Sequence, residues 1–318
     1  MSPRLRFLVR RVILTIPVLL AMTVFVFLMI RLVPGDPVRT MLGFRATDEN
    51  VAVVRSALGL DRPLWEQYGS WLAGLLRLDL GQDFISKAPL TTLLGQRLPV
   101  TLELTILSMA VALLVGIPAG VLAATRGRTV GRLTSALVIA GISIPDFWLG
   151  IMLVLLFTAA LGILPPSGFT PLLDDPLGNL RYMVLPVLTL AAGEAAYILR
   201  TTRAAMEDTL ASPHIAFLRA KGIAERRIVF VHALRGAAVP IVTVVGIQFG
   251  VLLGGAIVVE SLFSLPGVGR LIVTGINQRN YPVVQAGVLV VAVLFIAVNL
   301  VTDLLYGSLD PRLAEEEA

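Results

Sequence analysis

Residues 211–236 read ASPHIAFLRAKGIAERRIVFVHALRG, a basic island in an apolar chain. Arg219, Lys221, Arg226, Arg227 and Arg235 gather there with the chain's only two histidines, His214 and His232. Around it, hydrophobic residues make up 56% of 318 positions and charged residues only 15%. Soluble domains carry about a quarter charged residues, so the surroundings of this island are a membrane.

The apolar residues come in charge-free blocks at 12–30, 104–125, 236–259 and 281–302. Each is near the ~20 residues that cross a hydrocarbon core. Two more blocks are interrupted: 133–164 contains Asp146, and 182–199 contains Glu194. The reading is an all-α integral membrane protein with six transmembrane helices. The first block is too long, and too well followed by others, to be a cleaved signal peptide.

Basic residues then set the orientation. Arg4, Arg6, Arg10 and Arg11 precede the first block, and Arg126, Arg128 and Arg132 follow the second without one acid. The loop 200–235 holds seven basic residues against three acidic ones. Opposite loops carry only Arg181, Arg270 and Arg279. Short basic loops stay inside, which predicts cytoplasmic N- and C-termini and an external segment after the first helix. The organisation expected is a tail and first helix over 1–33, an external segment over 34–98, and a five-helix core over 99–318 with a cytoplasmic loop at about 200–236. The net charge of +5 reflects this topology, and with no basic stripe interleaved with aromatics it implies no nucleic acid.

The external segment has a helix of its own. DRPLWEQYGSWLAGLL places Leu64, Tyr68, Trp71, Leu72 and Leu75 on one face, with Asp61 as its cap and Pro63 in its first turn. The expectation is a lid packed on the bundle, with its aromatics suited to a lipid interface.

Missing chemistry narrows the class. No cysteine is present, and the two lysines, Lys87 and Lys221, stand in SKA and AKG, outside any phosphate-binding loop. His214 and His232 lie 18 positions apart, not at zinc-ligand spacing, so no metal site is expected. No G-x-S-x-G elbow occurs. The chain is read as no enzyme and as binding no cofactor itself.

Ionisable groups inside the blocks are few. Glu103 and Glu260 fall near outer ends, and Glu194 and Asp303 near inner ends where water is close. Asp146 sits beside Pro145 in SIPDFWLG, mid-way along a block too long for one straight span. An intramembrane carboxylate marks a pathway by default, and the bland alternative is a helix cap. Gly246, Gly250 and Gly254 repeat at G-x-x-x-G spacing, as do Gly116 and Gly120, which suits close helix packing within the chain or against a similar subunit.

RAKGIAERRIVFVHALR resembles the cytoplasmic EAA loop of ABC-transporter permease subunits of the dipeptide/oligopeptide/nickel family. That loop typically reads RxAKGxxxxxVxxxHALRNAxxP, matched here by Arg219, Lys221, Gly222, His232, Leu234, Arg235 and Pro240. RLVPGDP at 31–37, LGLDRPLWEQYGSWL, LDLGQDF, SIPDFW, FSLPGVGRL, INQRNYPVVQ and YGSLDPR resemble the family's other motifs in order. The match is closer to the first, B-type permease of such operons. Departures are Pro213, His214, Ala216, Phe217 and Leu218 before the RAKG run, Gly236 for the usual Asn, and Asn280 for the usual Asp.

The resemblance implies half of a translocation pathway for short peptides or similar small solutes, in the plasma membrane of a prokaryote. It implies as partners a second homologous permease, one or two ATPase subunits carrying ATP and Mg, an extracytoplasmic solute-binding protein, and membrane lipid. It makes 211–236 a short helix docked in an ATPase cleft. Phe217 and Leu218 would fill the cleft, Arg219, Lys221, Arg226 and Arg227 would meet its acidic rim, Gly222 would let the chain turn sharply, and His214 and His232 belong to the same docking loop. From residues alone, an ion- or proton-coupled secondary carrier using Asp146 stays open, and a membrane scaffold after it. A carrier would stand alone, whereas a permease subunit travels with its partners.

Overall fold

The computed structural model describes residues 3–31 and 35–309, and side chains at 3–12, 30, 40, 41, 128, 130 and 305–309 are not described. The end of the YGSLDPR motif, part of RLVPGDP and the C-terminal residues lie outside this description. Among the described residues the structure is helical, with a single bridge between Gln82 and Pro89.

In chain order the helices are α1 (Pro3–Arg31), α2 (Pro37–Leu42), α3 (Asp48–Ala57), α4 (Leu64–Leu76), α5 (Leu90–Thr125), α6 (Arg128–Ser143) and α7 (Asp146–Val154), the last continued by a π-helical turn at Leu155–Ala160. Then come α8 (Pro176–Leu210), α9 (Pro213–Ala220) and the single turns α10 (Glu225–Arg227) and α11 (Leu234–Gly236), which flank a second π-helical turn at Ile228–Ala233. The chain closes with α12 (Ala238–Leu262), α13 (Val268–Asn277) and α14 (Tyr281–Leu309).

Four helices are long and apolar enough to cross a membrane, namely α5, α8, α12 and the Tyr281–Leu304 part of α14. Gly131–Ser143 and Asp146–Ala160 are apolar enough only as a pair, bent by 97°, which is a fifth span if the two count as one or a re-entrant loop. Ile13–Met29 within α1 is a shorter apolar helix. The bend falls where Pro145 stands, because proline disfavours helical backbone in the residue before it. Ile144 is accordingly extended, at φ −83° and ψ 119°.

The residues form two compact units, one of 1–11, 102–265 and 297–318, the other of 12–101 and 266–296. The segment expected to be external thus shares a unit with 266–296, a grouping that a linear division of the chain does not give. In that second unit, Leu90, Leu94, Val268, Ile272, Val283 and Val284 make the core. Thr101 accepts the buried N–H of Val268 at 2.9 Å, closing the α13 start on α5. Trp71 and Tyr68 of α4 pack their rings 5.9 and 5.3 Å from that of Phe27 in α1, and Tyr68 shares a 2.9 Å hydrogen bond with Thr23. The aromatic face predicted for α4 therefore packs on a helix, except that Leu64 is exposed. Asp61 caps nothing: Pro63 occupies the N-cap position, with no side-chain hydrogen bond there.

In the first unit, α8 is the central post. Gly116 and Gly120 let α5 lie on it so closely that an added Cβ would come within 2.9 Å of Ile198 and 2.6 Å of Thr202. Arg203 of α8 pins α6 by donating to the Gly131 carbonyl at 2.8 Å and to the Ser135 hydroxyl at 2.9 Å, and it pairs with Glu207. Gly246 of α12 packs on Thr302 of α14, 2.5 Å from an added Cβ. Gly254, by contrast, faces open space. The predicted G-x-x-x-G ridge thus divides, one end used within the chain and one end free.

Candidate functional site

The basic stretch 211–236 folds as a helix and a return. Pro213 sits in the first turn of α9, where a missing N–H costs nothing. The helix stops at Lys221, and Gly222 takes φ +74°, a left-handed conformation that other residues adopt at a cost of about 1–2 kcal/mol. That reversal brings the π-helical turn back beneath α9. Ile215, Leu218, Ile228, Val229 and Ala233 then bury against Met206 of α8 and Val121 of α5. The stretch is therefore fixed to the ends of two long helices rather than hanging from them.

This packing separates the two apolar side chains assigned to docking. Leu218 is buried in the chain's own core, which corrects the expectation that it fills a partner's cleft. A 100° step around the helix turns Phe217 away from that core, where it is 56% exposed with the Lys221 ammonium 4.6 Å above its ring. Arg219 is turned to Glu225, with bonds of 3.1 and 2.7 Å to its two carboxylate oxygens. Those hydrogen bonds hold the Glu225 carboxyl below its ordinary value. His214 and His232 meet edge to face, ring centres 6.4 Å apart, although 18 positions separate them in sequence.

The second cluster lies among α7, α8 and α12. Asp146 opens α7, but the N-cap position is Pro145 and no side chain caps that end. The capping alternative is thus not what the carboxylate does. Its oxygens lie beside Gly193 and Gly255, 3.7 and 3.6 Å from where a Cβ would stand at each. Glu194, next to Gly193, is close enough for its charge to interact with that of Asp146. Gln248 of α12 donates Nε2 to Glu194 Oε2 at 2.7 Å, and both side chains are buried. Glu194 was expected near water at an inner helix end; instead it is held mid-bundle by an amide. Gln248 was missed entirely. Its signal was present as the lone amide in an apolar helix, but nothing in sequence says which neighbour it faces.

Long apolar helices thus surround a proline break that carries a carboxylate, and the folded basic loop exposes Phe217 and Phe230. Residues 116–315 match the family model of the binding-protein-dependent transport system inner membrane component, and residues 4–105 match the model of its N-terminal region. The chain belongs to this family and is a multi-pass inner-membrane component of an ABC importer. Over 306 residues it is 41% identical to a protein of Brucella abortus (strain 2308) named as a peptide transport system permease, covering 96% of this chain and 98% of that one. Over 310 residues it is 40% identical to the glutathione transport system permease protein GsiC of Escherichia coli (strain K12), covering 97% and 99%. The fold is similar to that of a chain of the MetNI methionine ABC transporter in an inward-facing form, with a TM-score of 0.55 at 20% identity over 69% of this chain and 97% of that one. Membership implies ATPase and permease partners in general, and it removes the secondary-carrier reading.

Proposed function

We propose that this permease subunit carries short peptides, handed over by an external solute-binding protein, in company with a second homologous permease and one or two ATPase subunits. Two relatives near 40% identity over nearly the whole chain, one named for peptides and one for glutathione, support the substrate class. The chain runs six times through the membrane with both termini cytoplasmic. The Ile13–Met29 helix and the broken α6–α7 pair supply the two spans beyond the four long ones.

The observation that carries the pathway is Asp146. Its carboxylate stands uncapped at a break in a span, with glycines instead of side chains beside both oxygens. A carboxylate in that setting offers negative potential to the ammonium group of a passing peptide. The discriminating experiment is transport by Asp146→Asn in vesicles containing the assembled importer. Cationic peptides should lose transport more than anionic ones, with ATPase assembly unchanged. Equal transport of both would remove Asp146 from the path.

ATPase docking falls to the exposed side of α9. Phe217 is the aromatic it offers, and Lys221 stacked on that ring keeps it raised in water. Leu218 serves by anchoring the helix, and Gly222 by turning the chain.

A further inference from the structure

Between the inner end of α5 and the second π-helical turn lies a groove of about 580 Å³ whose lining includes neither Asp146 nor Phe217. Ile117, Leu122, Val229, Phe230 and Leu234 line it, and Phe230 and Leu122 are 58% and 46% exposed. Arg126, Glu225 and Arg226 form its rim. The Glu225 carboxylate is engaged through both oxygens by Arg219, so it does not neutralise the rim. The guanidinium groups of Arg126 and Arg226 have no hydrogen-bond or ion-pair partner among the described residues.

Depth identifies the ligand. Arg126 follows directly on the charge-free block 104–125 of α5, so it stands where that helix leaves the hydrocarbon. The floor formed by Leu122 and Ile117 lies about one and about two and a half turns deeper along the same helix. Apolar walls at acyl depth beneath two free guanidinium groups at headgroup depth match one molecule class. A guanidinium fork suits a phosphate, and basic pockets between spanning helices on the cytoplasmic side take anionic headgroups. A soluble anion would have no use for the buried floor, and a neutral lipid none for the arginines.

We propose that this groove is a site for one anionic phospholipid of the inner leaflet, its phosphate taken by Arg126 and Arg226 and an acyl chain laid against Leu122 and Phe230. The assignment rests on the cytoplasmic placement of this loop proposed above. Lipid seated there would brace the π-helical turn, and through it the docking helix α9, against α5.

The test uses Phe230→Trp as a fluorescent reporter, with the parent signal from Trp65, Trp71 and Trp148 subtracted. The full chain, alone and in the assembled importer, is placed in phosphatidylcholine vesicles. Either phosphatidylglycerol or phosphatidylcholine is the brominated component, at equal mole fraction. Brominated phosphatidylglycerol should quench the reporter more strongly. Arg126→Gln and Arg226→Gln should each cut that preference about fivefold, since a basic residue near an anionic surface contributes roughly 1 kcal/mol. Arg126→Lys, which keeps the charge, should retain most of it and shows that folding is intact. Equal quenching by the two lipids, or a preference that survives both Arg→Gln changes, would overturn the proposal. So would quenching that vanishes on assembly with the ATPases, which would give the groove to them. Brominated lipid occupies both leaflets, so the readout stands apart from the topology, which cysteine labelling tests separately.

Discussion

Gln248 donates its amide hydrogen to Glu194 across 2.7 Å, joining the middle of α12 to α8 where both side chains are buried. Buried polar groups tolerate poor partnership badly, so the two residues act as one unit. Gln248→Leu leaves the carboxyl group without its donor, and Glu194→Leu leaves the amide without its acceptor. Each should destabilise the chain by about 1–2 kcal/mol, within the range for interhelical bonds and unsatisfied groups. The double replacement should recover part of that loss, because it removes both polar groups together. Thermal unfolding in detergent of the two single variants and the double variant checks the sign of the coupling. Strict additivity would show that the pair does not interact.

The docking helix separates two kinds of loss. Phe217→Ala removes an exposed aromatic, and truncating a well-packed interface aromatic typically costs about 2 kcal/mol or more, hence more than tenfold in affinity. At Gly222→Val the Cβ meets no neighbouring atom, so the cost lies chiefly in the forced φ of +74°. That strain misdirects α9. Both variants should insert normally yet retain less ATPase on co-purification and lose substrate-stimulated ATP turnover. Leu218→Ala should differ by lowering the chain's own thermal stability, by about 2–5 kcal/mol for a buried leucine.

The two ends of the α12 glycine ridge should also behave differently. An added side chain at Gly246 runs into Thr302, whereas one at Gly254 meets nothing within the chain. Gly246→Leu should therefore lower the stability of the isolated chain. Gly254→Leu should spare it and weaken association with the second permease, read as loss of heteromer in pull-downs. A Gly254→Leu variant with full heteromer yield would place the subunit contact elsewhere.

Acid should loosen the outer segment through Asp83. Partial burial pushes its carboxyl up, but hydrogen bonds from the Ser86 hydroxyl, the Ile85 N–H and the Asn280 amide outweigh this and hold it below its ordinary value. A depressed folded-state value means the stabilisation is full above the unfolded value of about 3.9 and is lost as pH falls through the folded one. Asp83→Ala should thus be less stable than the parent at neutral pH, with the gap narrowing below about pH 4. Unfolding midpoints measured across that range test it. Asn280 suits this contact because an amide can donate to Asp83, whereas a second carboxylate would repel it.

Topology is open to direct test because the chain has no cysteine of its own. A single cysteine at Leu60 should react with an impermeant thiol reagent added outside, and one at Ala216 only after the inner face is opened. The reverse pattern would invert every statement of sidedness.

Composition, block length and the placement of arginines were enough to make this chain a multi-helix membrane protein, because a bilayer imposes one length and one charge rule on every span. The break at Pro145 was legible for a similar reason, since proline acts on its own local backbone. The ordered motifs carried the permease family, and Gly222 announced the turn it makes. Partnership was not legible. Leu218 and Phe217 are adjacent and equally apolar, yet a 100° step around α9 sends one into the core and the other into water. Glu194 looked like a residue near the interface until α12 supplied Gln248, and for Asp146 a capping role stayed open beside the pathway until Pro145 took the cap position. Spans are set by interactions between a residue and the solvent around it, which sequence encodes locally. Which side chain meets which depends on the rotation and depth of whole helices against each other, and only their packing decides that.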